Sequence, residues 1–121
     1  VLLLAILVVT LVNGIKKMSD YWKDNNITKP QQIVVCAANR YRDIIVCGAR
    51  HYDKVMHGQI AGMGGLNALL VDDIKVEQGF INQFCEFLTR NEALKVVKEN
   101  NQPFNQKRNG SSTELFSEGL Y

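Results

Sequence analysis

Ile33-Val34-Val35-Cys36-Ala37-Ala38-Asn39, then Arg40-Tyr41-Arg42-Asp43, then Ile44-Ile45-Val46-Cys47-Gly48-Ala49 is the stretch that decides the fold. Both flanks are rich in Val, Ile and Cys, which suit a pleated, half-buried surface, and a short polar segment joins them. The pattern predicts a β-hairpin turning at residues 40–43. With an even-numbered loop centred there, Cys36 faces Cys47 and Val35 faces Gly48. A three-residue loop would send the two thiols to opposite faces. Each face is mostly apolar: Val35, Ala37 and Val46 on one, Val34, Cys36, Ala38 and Ile45 on the other. A strand pair apolar on both sides is covered on both sides. A helix can cover one face. The other calls for a second layer or a partner chain, a homo-oligomer included.

Downstream, Tyr52, Val55, Met56, Ile60 and Met63 recur at helical spacing, and Gly62, Gly64 and Gly65 end the helix. Residues 66–77 alternate between apolar and acidic and are expected to form a loop with a short turn. A second hairpin follows, with Phe80-Ile81 and Glu86-Phe87-Leu88 turning around residues 82–85. Thr89-Arg90-Asn91-Glu92 is a capping box that opens a helix over residues 90–100, burying Ala93, Leu94, Val97 and Val96. Residues 105–113 have the composition of a flexible spacer. Leu115, Phe116, Leu120 and Tyr121 give the final segment enough apolar surface to dock. The order strand-strand-helix, twice, predicts an α+β fold: tandem ββα units, one antiparallel sheet and two packed helices, preceded by a short hydrophobic N-terminal segment.

That segment, residues 1–17, is apolar from Val1 to Val12 apart from Thr10, and Lys16-Lys17 follow. Three readings stay open. It is the end of a membrane anchor, with the lysines on the cytoplasmic side. It is the hydrophobic part of a signal peptide. Or it is read-through ahead of a native start at Met18. Residues 18–32 are polar and read as a linker, so the domain is expected at 33–121. The expected location is the cytoplasm, with membrane association through residues 1–12 under the anchor reading.

The chain's 121 residues fit one domain, and 46% hydrophobic with 21% charged residues excludes a disordered chain. A net charge of +2 gives no electrostatic case for nucleic-acid binding, and Lys107-Arg108 is too short a basic run to change that. Three cysteines, an odd number, fit a reducing compartment better than a disulfide scaffold. Their spacing matches no zinc motif, so neither a metal nor a cofactor is expected.

Glu77-Gln78-Gly79-Phe80, Phe87-Leu88-Thr89-Arg90-Asn91-Glu92-Ala93 and the terminal Leu115-Phe116-Ser117-Glu118-Gly119-Leu120-Tyr121 resemble a family of small uncharacterised phage and prophage proteins. So do Cys36-Ala37-Ala38-Asn39-Arg40 and Gly48-Ala49-Arg50-His51-Tyr52-Asp53 upstream. The resemblance covers residues 33–121 and leaves out the hydrophobic segment. Two positions depart from the pattern. Cys85 stands where the family's hairpin turn takes Gly, and Gly119 replaces an acidic residue before Leu120-Tyr121. The resemblance implies a phage accessory protein and no particular chemistry.

Among chemically capable residues, Arg50, His51, Asp53 and His57 form the densest cluster. An anion held by Arg50, His51 and the helix N-terminus fits their placement. The bland alternative is that Asp53 only stabilises the first helical turn and His51 is a surface or capping residue; a third reading is metal binding, although His-x-Asp-x-x-x-His is not a zincin motif. Cys36 and Cys47 sit in apolar strands, where a thiol behaves as a small hydrophobe. Glu86 and Glu118 are an acid–base pair only if the fold joins them. Arg90 opposes the dipole of the helix it opens, so a ligand or a carboxylate partner would account for it. These residues favour a binding or interaction protein over an enzyme. Arg50, His51, Gln78 and Arg90 are expected to line a site for a nucleotide, another anionic small molecule or an acidic patch on a host protein. The alternatives are a small hydrolase with His51 or His57 as general base, and a membrane-anchored structural protein.

Overall fold

A computed structural model of the chain describes residues 21, 23–28, 30–71 and 74–121. The hydrophobic segment and its three readings lie outside the described residues. Among the described residues no helix is long and apolar enough to cross a membrane. The chain divides into two units at Gln31/Gln32. In the first, the Asn25 side-chain amide donates to the Tyr21 carbonyl at 2.8 Å.

The second unit carries β1 (Val34–Tyr41), β2 (Ile44–Gly48), α1 (Lys54–Gly62), α2 (Leu66–Leu69), β3 (Glu77–Asn82), β4 (Phe87–Thr89), α3 (Arg90–Glu99), α4 (Gln106–Asn109) and α5 (Ser117–Leu120). The strands form one antiparallel sheet in the order β2-β1-β3-β4. The expected α+β fold of tandem ββα units is the observed one, and β1–β3 pairing joins the two units.

The first hairpin is tighter than its sequence suggested. Tyr41 pairs with Ile44 and Ala38 with Cys47, so the loop is Arg42-Asp43 alone. Cys36 and Cys47 are therefore diagonal neighbours on one face instead of directly opposed. The reason is what the two supposed loop residues can do within the strand. Tyr41 has a ring to bury and is 1% exposed. Arg40 faces Glu77 across β3 and pairs with it at 2.8 Å. Arg42 takes the positive φ of 56° at the first position of the two-residue turn, where a type II′ hairpin requires one.

Strand alternation sorts the sheet into two faces. Ala37, Asn39 and Tyr41 share one face with Val46, Phe80 and Leu88, and a bulge between Val34 and Cys36 adds Val34 to it. Both long helices pack there. α3 buries Ala93, Leu94, Val96 and Val97 against Val34, Ala37, Phe80 and Leu88, with Leu115 completing the cluster. α1 buries Met56 and Ile60 against Tyr41, Val46 and Leu69. Val55 and Met63, expected on its buried stripe, are exposed at 63% and 43%, because the helix buries only Met56 and Ile60 in the apolar cluster. On the opposite face Cys36, Ile45, Cys47, Ile81 and Phe87 are half-buried. Gly79 makes room there. A Cβ on it would lie 2.7 Å from Phe87 Cζ, and the Phe87 ring in turn carries the Arg40 guanidinium 4.4 Å above its centroid.

Local chemistry fixes the helix ends. Asp53 Oδ1 accepts from Met56 N at 2.8 Å and starts α1. The predicted capping box starts α3: Thr89 Oγ1 accepts from Glu92 N at 3.3 Å, and Glu92 Oε1 from Thr89 N at 3.0 Å. The supposed spacer at 105–113 is ordered, because its amides and hydroxyls bond to its own backbone. Asn109 is the hub. Its Oδ1 accepts from Phe116 N at 2.7 Å, and its Nδ2 donates to the Ser111 and Glu114 carbonyls at 2.9 and 2.8 Å. A Cβ at position 119 would lie 2.6 Å from Asn109 Cβ, which explains why Gly119 stands where a larger residue was expected.

The second hairpin closes through Gln83-Phe84-Cys85. Asn82 Oδ1 accepts from Phe84 N and Glu86 N, both at 3.0 Å, and Cys85 takes φ 61°. A three-residue hairpin loop ends in such a left-handed residue, which Gly adopts without the steric cost borne by any side chain. Cys85→Gly is therefore expected to stabilise the protein by about 0.5–1 kcal/mol, after the greater freedom of Gly in the unfolded chain is deducted. Thermal denaturation checks this. A melting temperature at or below that of the unchanged protein would contradict the loop geometry.

Candidate functional site

Between the two apolar clusters, on the helix-covered face, lies a polar strip. It starts from the β1–β3 register, which sets Asn39 beside Gln78. Asn39 is fully buried at 0% exposure. Its Nδ2 donates to the Tyr41 hydroxyl at 3.4 Å, and its Oδ1 is a buried acceptor with no hydrogen-bond partner among the described residues. The Tyr52 hydroxyl lies 3.5 Å from the Tyr41 hydroxyl and within reach of the Asn39 and Gln78 amides. Burial, then the neighbouring Tyr41 hydroxyl, pushes Tyr52 up to about 12, so it is a neutral phenol at physiological pH.

Of the four sequence-predicted residues, Gln78, Arg90 and His51 lie along this strip, and Arg50 lies beside the C-terminal segment. Gln78 Oε1 accepts from Arg90 Nη2 at 2.8 Å. Arg90 Nη1 donates to the Leu115 carbonyl at 3.1 Å, and its guanidinium lies 4.5 Å from the centre of the Phe116 ring. The partner that its position on the helix called for is thus the docked C-terminal segment. His51 sits in a turn before α1, its ring edge-on to Phe80 at 5.4 Å. Its Nε2 lies 2.8 Å from the Gly79 carbonyl, which can only accept, so Nε2 carries the proton. Arg50 pairs with Glu118 at 3.4 Å and donates to the Tyr121 main-chain oxygen at 2.6 Å. Arg108 donates to the same oxygen at 2.9 Å.

Glu118 is the common neighbour. It pairs with Arg50, and its charge also favours the protonated forms of His51 and Arg90. Glu118 and Glu86 do not form the acid–base pair that their chemistry allowed, because the fold gives each carboxylate its own contact: Glu86 accepts from Asn82 Nδ2 at 2.9 Å. The helix N-terminus is already used, because Asp53 accepts from Met56 N and, at 3.2 Å, from Arg50 N. Those hydrogen bonds, that from Met56 first, hold the Asp53 carboxyl below its usual range. A second anion at that end would meet a like charge. Asn39, Tyr41 and Tyr52 were missed. The signal was present at Asn39, which alternates with Ala37 and Tyr41 and so faces the core, and not the hairpin loop.

Burial pulls His51 below its ordinary value; the nearby Arg90 charge adds to this, and the hydrogen bond to Gly79 opposes it. A depressed basic group binds its proton more weakly in the folded than in the unfolded chain. Its contribution to stability is therefore complete above the unfolded value of about 6.5 and declines as pH falls through that value. An NMR titration of the His51 ring is expected to show a midpoint below 6.5. A midpoint at or above it would mean that the ring is solvated.

No curated protein and no solved structure matches the chain. A family model described as phage T4 y16D protein matches residues 33–121, the span that holds the whole sheet, both long helices and the docked C-terminal segment. The chain therefore belongs to the phage T4 y16D protein family.

Proposed function

We propose that this phage protein is an accessory binding protein that holds a small anionic ligand, the phosphate of a nucleotide being the chemistry of choice, at Arg50, His51, Gln78 and Arg90. One observation carries the reading: Arg50 pairs with the carboxylate of Glu118, whose charge also bears on His51 and on Arg90, so two separate segments of the chain share one negative neighbour. The guanidiniums of Arg50 and Arg90 near one exposed glutamate form a seat for negative charge that the chain fills with its own side chain, and His51, its Nε2 proton donated to the Gly79 carbonyl, flanks it. Glu118 is held by an ion pair at 3.4 Å and its side chain is 54% exposed. An exposed pair of this kind contributes little to stability and is readily exchanged. A phosphate offers more acceptors than a carboxylate and pairs with guanidinium in two-pronged geometry, so it can displace Glu118 from Arg50.

The hydrolase alternative has less support. The Nε2 proton of His51 is committed to a backbone carbonyl, and among the described residues no hydroxyl or thiol is hydrogen-bonded to either histidine.

Calorimetric titration with inorganic phosphate and with nucleoside mono- and triphosphates tests the proposal. Saturable binding that weakens with added salt is expected. Glu118→Gln should tighten it by removing the internal competitor. Arg50→Gln should weaken it about tenfold or more, the loss of one charge-assisted contact. Absence of saturable binding in both the unchanged protein and Glu118→Gln would overturn the proposal. So would binding that Arg50→Gln leaves unaltered.

A further inference from the structure

Arg50 shares one of its acceptors with another guanidinium, that of Arg108. Arg108 lies on α4, where Asn105 Oδ1 accepts from its main-chain N–H at 2.9 Å and fixes the turn. Its Nη2 lies 2.9 Å from the Tyr121 main-chain oxygen, and Arg50 Nη2 lies 2.6 Å from the same atom. Two guanidiniums from segments far apart in the sequence therefore meet at one oxygen. From its other amino group Arg50 reaches Glu118 Oε1 at 3.4 Å. Like charges this close repel each other unless an acceptor lies between them. In the sequence Lys107-Arg108 is only a short basic run, and it is the fold that sets Arg108 beside a second arginine.

The segment that supplies the oxygen is anchored everywhere except at its tip. Leu115, Ser117 and Gly119 are buried, and Leu120 packs against the cluster under α3. The Gly119 carbonyl accepts from Asn105 N at 2.7 Å. Glu118 and Tyr121 stand outside this anchorage and are exposed. Tyr121 is held by its amide, which donates to the Ser117 carbonyl at 3.0 Å, and by its hydroxyl, which donates to the Val35 carbonyl. Its ring borders a pocket of about 320 Å³, lined also by Val35, Gly48, Val55 and Gln59, which leaves the ring room to turn. The tip can leave the two arginines while the rest of the segment stays docked.

We propose that Arg50 and Arg108 form a clamp for a phosphate group and that Tyr121 is the latch that fills it while the ligand is absent. The clamp rests on the reading of Arg50 as a phosphate-binding residue and adds to it a second guanidinium and a means of control. An oxygen that accepts from both arginines marks the place a phosphate oxygen would take. The main chain offers a single accepting atom there. A phosphate presents several charged oxygens, so it accepts from both guanidiniums in their forked geometry at once. Phosphate therefore competes with Tyr121 as well as with Glu118, and its binding releases the tip of the segment. The latch lowers the apparent affinity by the fraction of molecules in which the clamp is already filled. Loosening Tyr121 raises that affinity, whereas removing Arg108 takes away part of the clamp itself.

Titration of the full chain with inorganic phosphate, followed by calorimetry and by NMR, tests both parts. Arg108→Gln is expected to weaken phosphate binding about threefold or more, the loss of one exposed charged contact. If Arg108 only tied down the segment, its loss would tighten binding instead, so tightened or unaltered affinity overturns the clamp. Tyr121→Phe removes the bond to the Val35 carbonyl and is expected to tighten binding about threefold. Unaltered or weakened binding by that variant overturns the latch. In the unchanged protein, saturating phosphate is expected to speed hydrogen exchange of the Tyr121 amide about threefold or more while the amides of α3 keep their rates. A Tyr121 amide that slows or keeps its rate also overturns the latch. Binding that Arg50→Gln weakens and Arg108→Gln does not would remove the clamp and leave Arg50 as a ligand residue. Absence of saturable phosphate binding in every variant would overturn both readings.

Discussion

The pairing of β1 with β3 is the constraint on which the rest of the molecule depends. Each ββα unit has only a two-stranded ribbon and one long helix, too little to bury a face independently. Joining Val34–Tyr41 to Glu77–Asn82 makes one sheet wide enough for both helices on one side. It also brings residues that are far apart in sequence into register. Asn39 beside Gln78, Ala37 beside Phe80 and Arg40 beside Glu77 are all consequences of that single alignment. A slip by one residue would turn Asn39 and Phe80 to the open face and bury the charges of Arg40 and Glu77.

Because the two apolar clusters grow from the two helices, the stretch of sheet at Asn39 and Gln78 belongs to neither. The chain places polar groups there: an amide from β1, an amide from β3, two phenols, a histidine and an arginine. The C-terminal segment then closes the arrangement from outside. Leu115 anchors it in the core, Asn109 shapes its backbone, Phe116 stacks under Arg90, and Glu118 neutralises Arg50. The proposed ligand seat thus lies where the sheet meets the docked segment. Among the described residues, Asn39 Oδ1 is a buried acceptor with no hydrogen-bond partner.

Much of this architecture was legible in the sequence because the signals were local. The Thr89–Glu92 capping box, the two Val/Ile- and Phe-rich hairpins and the glycines after α1 each act within a few residues. What was not legible depended on partners far along the chain. Arg40 and Tyr41 look like loop residues until Glu77 and the cluster around Met56 are in place. The register therefore came out two residues away, which preserved the shared face of Cys36 and Cys47 but not their direct opposition. Residues 105–113 have the composition of a linker, and only the fold shows that the Asn109 amide makes three backbone hydrogen bonds. The four residues expected to bind a ligand were chosen for their chemistry. The ion pair of Arg50 with Glu118 could not be anticipated, because it is made by the C-terminal segment.

Residue-resolved hydrogen exchange tests the central role of the β1–β3 pairing most directly. If that pairing welds the two ββα units into one body, the slowest amides of β1, β3, α1 and α3 open together, with a single free energy equal to that of global unfolding. If the amides of β2 and α1 open independently, at a free energy well below that of β3 and α3, the two units are separable. A polar strip that requires both of them could not then be the built site described here.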